Sequence, residues 1–399
     1  MNDILIGRQQ ILDNQQNVYA YELLFRGNEF DVTDPNSGTQ ATNQVITDTL
    51  LEIGLNNIVG DHKAFINFTT QNILEKTPLH LPKDRIVIEI LENIKIDHQV
   101  ISNVREFKNQ GYLIALDDFI FSSDWQPLVE LADIIKIDVM ATPQSDIKPL
   151  ITQLKPYKLK LLAEKVETHE QFQSLKEFGC DYFQGYFFSK PNLVAGKRMG
   201  VNQLAAMKLL TAVNKANVEI KEITTAISQD ISLSYKLLHY INSSAFGLSS
   251  KIQSIQHAIT CLGVREIRRW TNIITLASLS SKPVVVLENS LICARMCEQL
   301  ALLKKQSPEQ FFMIGMFAHL DSLLDIPLAD ALKQLPLDNT ITDALLNKRG
   351  VAGETLQYVI DFEQWRLPNQ LLTGVSVHEI NNIYLEAIQW SKDVLSNIN

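Results

Sequence analysis

Eight short runs rich in β-branched and aromatic residues dominate the chain as far as about Pro191, and amphipathic stretches separate the later ones. They are Ile4 to Leu12, Tyr19 to Phe25, Ala64 to Phe68, Ile86 to Ile90, Leu113 to Leu116, Ile134 to Ile137, Lys160 to Ala163 and Tyr182 to Phe187. Such alternation implies βα units and a parallel sheet, and eight strands are the number that closes a barrel. Only Asp13-Asn14-Gln15-Gln16-Asn17 separates the first two runs. That is too short for a helical crossover and reads as a hairpin turn, so the barrel should open with one antiparallel strand. Helices are expected at Thr42 to Ile53, His98 to Asn109, Pro143 to Leu154 and Thr168 to Phe178, where apolar residues recur at spacings of three and four.

After Pro191-Asn192-Leu193-Val194-Ala195-Gly196 the strand signal fades and helical periodicity takes over. A chain of 399 residues exceeds what one core usually organises. The expected architecture is an α/β barrel over residues 1–195 followed by an all-helical domain over residues 196–399.

The formal charge of −9 argues against broad binding to nucleic acid or anionic membranes, both of which need dense positive surface. No run approaches the roughly 18 apolar residues of a membrane span, and the first residues do not resemble a signal peptide. A soluble cytoplasmic protein is expected. Cys180, Cys261, Cys293 and Cys297 are few for this length and lie in segments that read as buried helix or strand, so reduced thiols are expected.

Functional residues of a (β/α)8 barrel sit at the C-terminal ends of its strands. Here those ends carry Glu22, Asn67, Glu89, Asp117 with Asp118, Lys136, Glu164 and Gln184. Carboxylates converging on one mouth repel each other unless cations neutralise them, and oxygen ligands favour Mg2+ or Mn2+. Two ions, typically about 3.5 to 4 Å apart, would suit in-line displacement at a phosphodiester. Lys136 would orient or deprotonate the attacking water or stabilise charge, and Arg26, four residues past Glu22, would clamp a phosphate.

These residues also carry a family resemblance across roughly residues 1–191. Glu22-Leu23-Leu24-Phe25-Arg26 resembles the Glu-Ala-Leu-x-Arg signature of the EAL-domain phosphodiesterases. Ile66-Asn67-Phe68-Thr69 is similar to the family's asparagine strand, and Glu89-Ile90-Leu91-Glu92 to its Glu-x-x-Glu pattern. Asp117-Asp118-Phe119, Lys136-Ile137-Asp138, Ala163-Glu164-Lys165-Val166-Glu167-Thr168 and Gln184-Gly185-Tyr186 follow in family order. The resemblance implies hydrolysis of cyclic di-GMP to linear pGpG, with a possible homodimer. It assigns metal binding to Glu22, Asn67, Glu89, Asp117, Asp118 and Glu164, and catalysis to Lys136 together with Glu22 and Glu164. Gln9 and Arg26 would contact the dinucleotide, Glu167 and Gln184 would complete its pocket, and Glu92 would support the neighbouring loop.

The chain departs from the family pattern at several points. Ile120-Phe121-Ser122-Ser123-Asp124 replaces the usual Gly-Thr-Gly-Tyr-Ser-Ser loop, removing backbone freedom where Asp118 must be placed. Lys165 replaces a glycine, Gln10 stands where a proline usually follows Gln9, and Gly27 to Lys63 lacks much of the usual sequence.

In the second half, Asp230 through Trp270 resembles the HDOD domain, a non-catalytic relative of HD phosphohydrolases. The matching pieces are Asp230-Ile231-Ser232-Leu233, Leu237 to Gly247, Ile255-Gln256-His257-Ala258-Ile259, Leu262-Gly263 and Arg265 to Trp270. HD enzymes need an adjacent His-Asp pair, and the sequence contains none. Ala318-His319 stands in its place, and His319 with Asp321 reads as a surface or helix-end pair. His239 and His257 are expected to pack, and Arg265, Arg268 and Arg269 to form a solvated helix face. The leading reading is a metal-dependent phosphodiesterase whose helical domain signals to an unknown protein partner. The alternatives are a cyclic di-GMP receptor without turnover and a protein-interaction scaffold.

Overall fold

The computed structural model describes residues 4–27, 54–117, 123–187, 201–215, 218–242, 251–278, 283–364, 366 and 374–398. The chain divides into two compact units, Met1–Phe188 and Ser189–Asn399. The boundary expected at residue 195, and the helix expected at 42–53, lie outside the described residues.

The first unit is a closed barrel of eight strands in sequence order. These are β1 (Ile4–Asp13), β2 (Val18–Gly27), β3 (Lys63–Phe68), β4 (Ile86–Ile90), β5 (Leu113–Leu116), β6 (Ile134–Asp138), β7 (Lys160–Glu164) and β8 (Tyr182–Gln184). β1 runs antiparallel to both β2 and β8, and every other pairing is parallel. The hairpin closes because Asp13 Oδ1 accepts from the Gln15 and Asn17 amides at 2.8 and 2.9 Å while Gln16 takes a left-handed φ of 64°.

The barrel interior is packed rather than open. Ile11, Ala20, Phe65, Val87, Ala115, Ile134 and Leu162 form one buried layer. Side chains alternate along a strand with a period of two, so the residues two positions further on share this inner face. From β2 to β7 those residues are Glu22, Asn67, Glu89, Asp117, Lys136 and Glu164.

The helices of this unit are α1 (Leu55–Val59), α2 (Thr70–Leu74), α3 (His98–Gln110), α4 (Gln126–Val129), α5 (Gln144–Leu154) and α6 (His169–Phe178). α3 begins where Asp97 accepts from the Gln99 and Val100 amides and ends at Gly111, φ 95°. α6 begins at a capping box between Thr168 and Gln171, so the expected first residue, Thr168, is the cap.

β8 stops at Gln184, short of the expected Phe187. The Val166 amide donates to the Gln184 carbonyl at 3.0 Å and the Phe187 amide to the Val166 carbonyl at 3.2 Å, turning the chain out of the sheet. Gly185 makes that turn at φ 145°, where any Cβ would collide with the Val166 backbone. Phe187 then stacks on Phe172, ring centroids 4.7 Å apart.

The second unit is helical throughout its described residues. Its helices are α7 (Val201–Val213), α8 (Ile220–Ser228), α9 (Ile231–Ile241), α10 (Ile255–Ala277), α11 (Val284–Leu303), α12 (Pro308–Phe317), α13 (Leu320–Leu324), α14 (Leu328–Leu332), α15 (Asn339–Asn347), α16 (Gly350–Glu363) and α17 (Val377–Ile398). α10 is broken at Gly263, φ 85°. α11 is buried along most of its length, and Gly315 lets α12 approach it, since a Cβ there would lie 2.6 Å from the Ala294 Cα.

His239 and His257 are exposed, contrary to the expectation that they pack. α9 buries Leu233, Leu237, Tyr240 and Ile241, and α10 buries Ile255, Ala258 and Ile259, so each histidine falls beside the apolar stripe rather than on it. All four cysteines are free thiols, with Cys261 exposed and the other three buried. No helix among the described residues is long and apolar enough to cross a membrane.

Candidate active site

The inward residues above the apolar layer converge on Lys136. Its Nζ lies 3.4 Å from Glu22 Oε2, 2.9 Å from Asp117 Oδ1 and 2.6 Å from Glu164 Oε1, and it also contacts Glu89 Oε1. Ligand oxygens of Glu22, Glu89 and Glu164 all lie within 4.8 Å of one another. Lys136 is 1% exposed and Glu89 fully buried, so water does little to screen the group.

Neutral side chains orient these acids. Asn67 Nδ2 donates to Glu22 Oε1 at 3.3 Å, and Gln184 Nε2 donates to Glu22 Oε2 at 2.7 Å and to Gln9 Oε1 at 2.8 Å. Gln9 stands opposite Glu22 in the β1–β2 register, which is how the antiparallel strand brings it to the mouth.

Four carboxylates face one ammonium, so full ionisation would leave three negative charges in excess. The site relieves part of that excess by holding protons. Burial, then Glu22, push the Glu89 carboxyl well above its usual range despite the opposing pull of Lys136. Burial pushes Glu164 up to about 8, with Asp117 and Glu22 adding to it against Lys136. Burial alone would lower Lys136, but Glu164, Glu22, Glu89 and Asp117 together hold it well above its ordinary value. Glu89 Oε2 and Gln184 Oε1 are buried with no hydrogen-bond partner among the described residues. A hard divalent cation fits this all-oxygen donor set, its surplus of negative charge and its unsatisfied oxygens.

Of the residues anticipated from sequence, Gln9, Glu22, Asn67, Glu89, Asp117, Lys136, Glu164 and Gln184 thus come together. Glu167 is partly buried ahead of α6, its amide donating to Gln171 Oε1 at 2.8 Å. Glu92 is exposed on the turn after β4. Arg26 is the penultimate residue of β2, but its side chain lies outside the described residues, as does Asp118.

Two neighbours were not singled out by sequence. Buried Asp138, two residues past Lys136, accepts from the Met140 and Ala141 amides at 2.7 and 3.0 Å and from Lys165 Nζ. Burial would raise its carboxyl, but Lys165 and the two amides carry it below the ordinary value. Lys165 itself sits at φ 56°, a conformation that favours glycine. Arg8 is the other: it donates to the Ile58 carbonyl at 2.5 Å and lies over the Tyr21 ring at 4.3 Å. Period-two counting on β6 is the signal that would have found Asp138, whereas Arg8, one residue before Gln9, falls on the opposite face of β1 and no sequence signal ties it to the mouth.

Comparison with known proteins bears on both units. An EAL domain model matches residues 39–191 and an HDOD domain model residues 203–380. The uncharacterized protein YuxH of Bacillus subtilis is 34% identical over 98% of this chain and 99% of its own length. The chain belongs to the EAL–HDOD family. A second relative, "Cyclic di-GMP phosphodiesterase CdgJ" of Vibrio cholerae, is 33% identical over 98% of this chain and 92% of its own. A solved EAL domain protein of Listeria monocytogenes aligns at 23% identity over 47% of this chain and 87% of its own, with a TM-score of 0.38. The EAL match begins after β2, and the parallel pairing of β2 with β3 sets Glu22 beside the strand that carries Asn67.

Proposed function

We propose that the barrel is a divalent-metal-dependent phosphodiesterase that hydrolyses cyclic di-GMP to linear pGpG. The observation that carries this reading is the buried set of Glu22, Glu89, Asp117 and Glu164 around Lys136, in a chain related almost end to end to a protein named for that activity. Glu22, Asn67, Glu89, Asp117, Asp118 and Glu164 would hold Mg2+ or Mn2+, with room in that donor set for two ions. When bound, the cations would acidify a water molecule and stabilise negative charge on the phosphoryl oxygens.

In the reaction the water oxygen bonds to phosphorus as one ester P–O bond breaks, a proton leaves the water and one reaches the departing sugar oxygen. Lys136, held as an ammonium by its four acids, orients the water and offsets charge rather than removing the proton. Gln184 and Asn67 fix the two oxygens of Glu22, which keeps that carboxylate aimed into the mouth. Gln9 and Arg26 would contact the dinucleotide, with Glu167 at the pocket edge and Glu92 supporting the loop beyond Asp117. The convergence of Glu22, Glu89, Asp117 and Glu164 on Lys136 favours turnover over a receptor that only binds.

Purified protein incubated with cyclic di-GMP and Mn2+ or Mg2+ should yield pGpG by chromatography, with Glu22→Ala and chelator each abolishing it. Cyclic di-GMP bound without turnover would replace the proposal with a receptor. Neither binding nor turnover would leave the scaffold.

A further inference from the structure

The helical unit contains a 350 Å3 pocket that the barrel chemistry does not use, walled by α10, α11, α12 and Ile341 of α15. Arg265, Arg268 and Arg269, expected from the sequence on a solvated helix face, all line it. Only Arg265 is exposed as expected. The other two are partly buried because α12 packs across that face of α10, with Phe312 lying 3.9 Å beneath the Arg269 guanidinium.

The pocket's carboxylates are committed elsewhere. Glu309 pairs with Arg265 at 2.7 Å, and Glu298 takes Arg269 in two bonds at 2.8 and 3.1 Å and Arg295 at 2.8 Å. Glu266 accepts from the Trp270 indole at 3.2 Å. Among the described residues Arg268 is left with one long bond, from its terminal nitrogen to the Lys215 carbonyl at 3.3 Å, and its Nε is buried without a partner there. The stretches of this unit outside the described residues contain no Asp or Glu, so they hold no side-chain carboxylate for it either.

Among the described residues Arg268 feels the charge of Glu309 but bonds no carboxylate, and an anion in the pocket would relieve the cost of its half-burial. Two further features suit one. Ser307, Pro308, Glu309 and Gln310, at the N-terminal end of the ten-residue helix α12, line the pocket, and Ser307 makes no side-chain cap bond. Met313, Met316 and Ile341 supply an apolar floor.

We infer that this pocket binds a small molecule carrying one oxyanion head, a carboxylate or a phosphate, on a flat apolar body. Arg268 takes the head and Met313, Met316 and Ile341 the body. The assignment is independent of the barrel's activity, because every residue in it belongs to the helical unit.

Phenyl phosphate, benzoate and inorganic phosphate, titrated into the full chain by calorimetry, test this. Saturable binding of phenyl phosphate or benzoate, tighter than inorganic phosphate, is expected, and which of the two binds better identifies the head. Arg268→Gln should weaken binding about tenfold or more, the effect of losing a charged hydrogen bond. Met313→Trp, which fills the pocket and leaves the arginine in place, should block it independently if Arg268→Gln fails to fold. No binding by either aromatic probe, or binding untouched by a folded variant, overturns the inference.

Discussion

At the barrel mouth four carboxylates share the single ammonium of Lys136, whereas in the helical unit Arg269 and Arg295 share Glu298, and Arg295 reaches on to Glu386 at 2.6 Å. The second network is matched in charge and further held by aromatic faces, with Arg269 over Phe312 and Arg295 5.8 Å from the Trp390 ring centroid. The barrel network is unmatched and holds protons to survive. Elsewhere in the helical unit buried groups are discharged: burial pushes Glu363 up to about 8, and burial, then the charge of Lys348, push His319 down to about 4. A matched network is structural, whereas a surplus of one sign in a closed space is a place prepared for something of the opposite sign.

Two substitutions probe this contrast most strongly. Lys136→Ala should lower kcat by roughly 10²–10³-fold if Lys136 orients the reacting water and offsets charge, leaving the helical unit folded by far-UV circular dichroism. Arg269→Ala should do the reverse, sparing turnover while costing about 3 kcal/mol of stability in urea, because it leaves Glu298 with Arg295 alone and empties the face of Phe312. Equal effects of both variants on turnover would erase the distinction.

The pH dependence of stability separates the units further. Glu164 is raised from its usual 4.5 to about 8, so between those values the folded state holds a proton that the unfolded state has lost. Its stabilising contribution is present below pH 4.5 and disappears as the pH rises through about 8. Glu363 behaves the same way. Thermal denaturation should therefore show falling stability across this window, Mn2+ should remove the barrel's share of the slope, and Glu363→Gln should remove the helical share.

The smaller effects are conformational. Gly185→Ala should cost about 1–3 kcal/mol, because the φ of 145° is strained for any Cβ and the Val166 backbone stands in its way. Activity should fall with it, since Gln184 would move off Glu22. Lys165→Gly should change stability by less than about 1 kcal/mol in urea titrations, the lost contact of a half-exposed lysine with Asp138 offsetting the relief of its left-handed backbone.

The barrel's composition was legible because one rule, period two along each strand, governs both its core and its mouth. Ala20 and Glu22, Phe65 and Asn67, and Ile134 and Lys136 are successive inward residues, so reading the strands also located the acids. What escaped depended on contacts between distant segments. The end of β8 is set by Val166, nineteen residues earlier in the chain than Gly185 and invisible in the run Tyr182 to Phe187. The partial burial of Arg268 and Arg269 depends on α12 packing over α10, and the exposure of His239 on which stripe of α9 faces its neighbours. Helical periodicity shows that a face exists without showing what covers it.

If the surplus of buried acids at the barrel mouth is a cation site, a calorimetric titration of the metal-free chain with Mn2+ in buffers of different ionisation enthalpy should reveal it. Saturable binding with release of protons is expected, because Glu89 and Glu164 hold theirs until a cation replaces them, and Glu89→Gln should weaken binding and reduce that release. No Mn2+ binding, or binding and proton release unchanged in Glu89→Gln, would contradict the account.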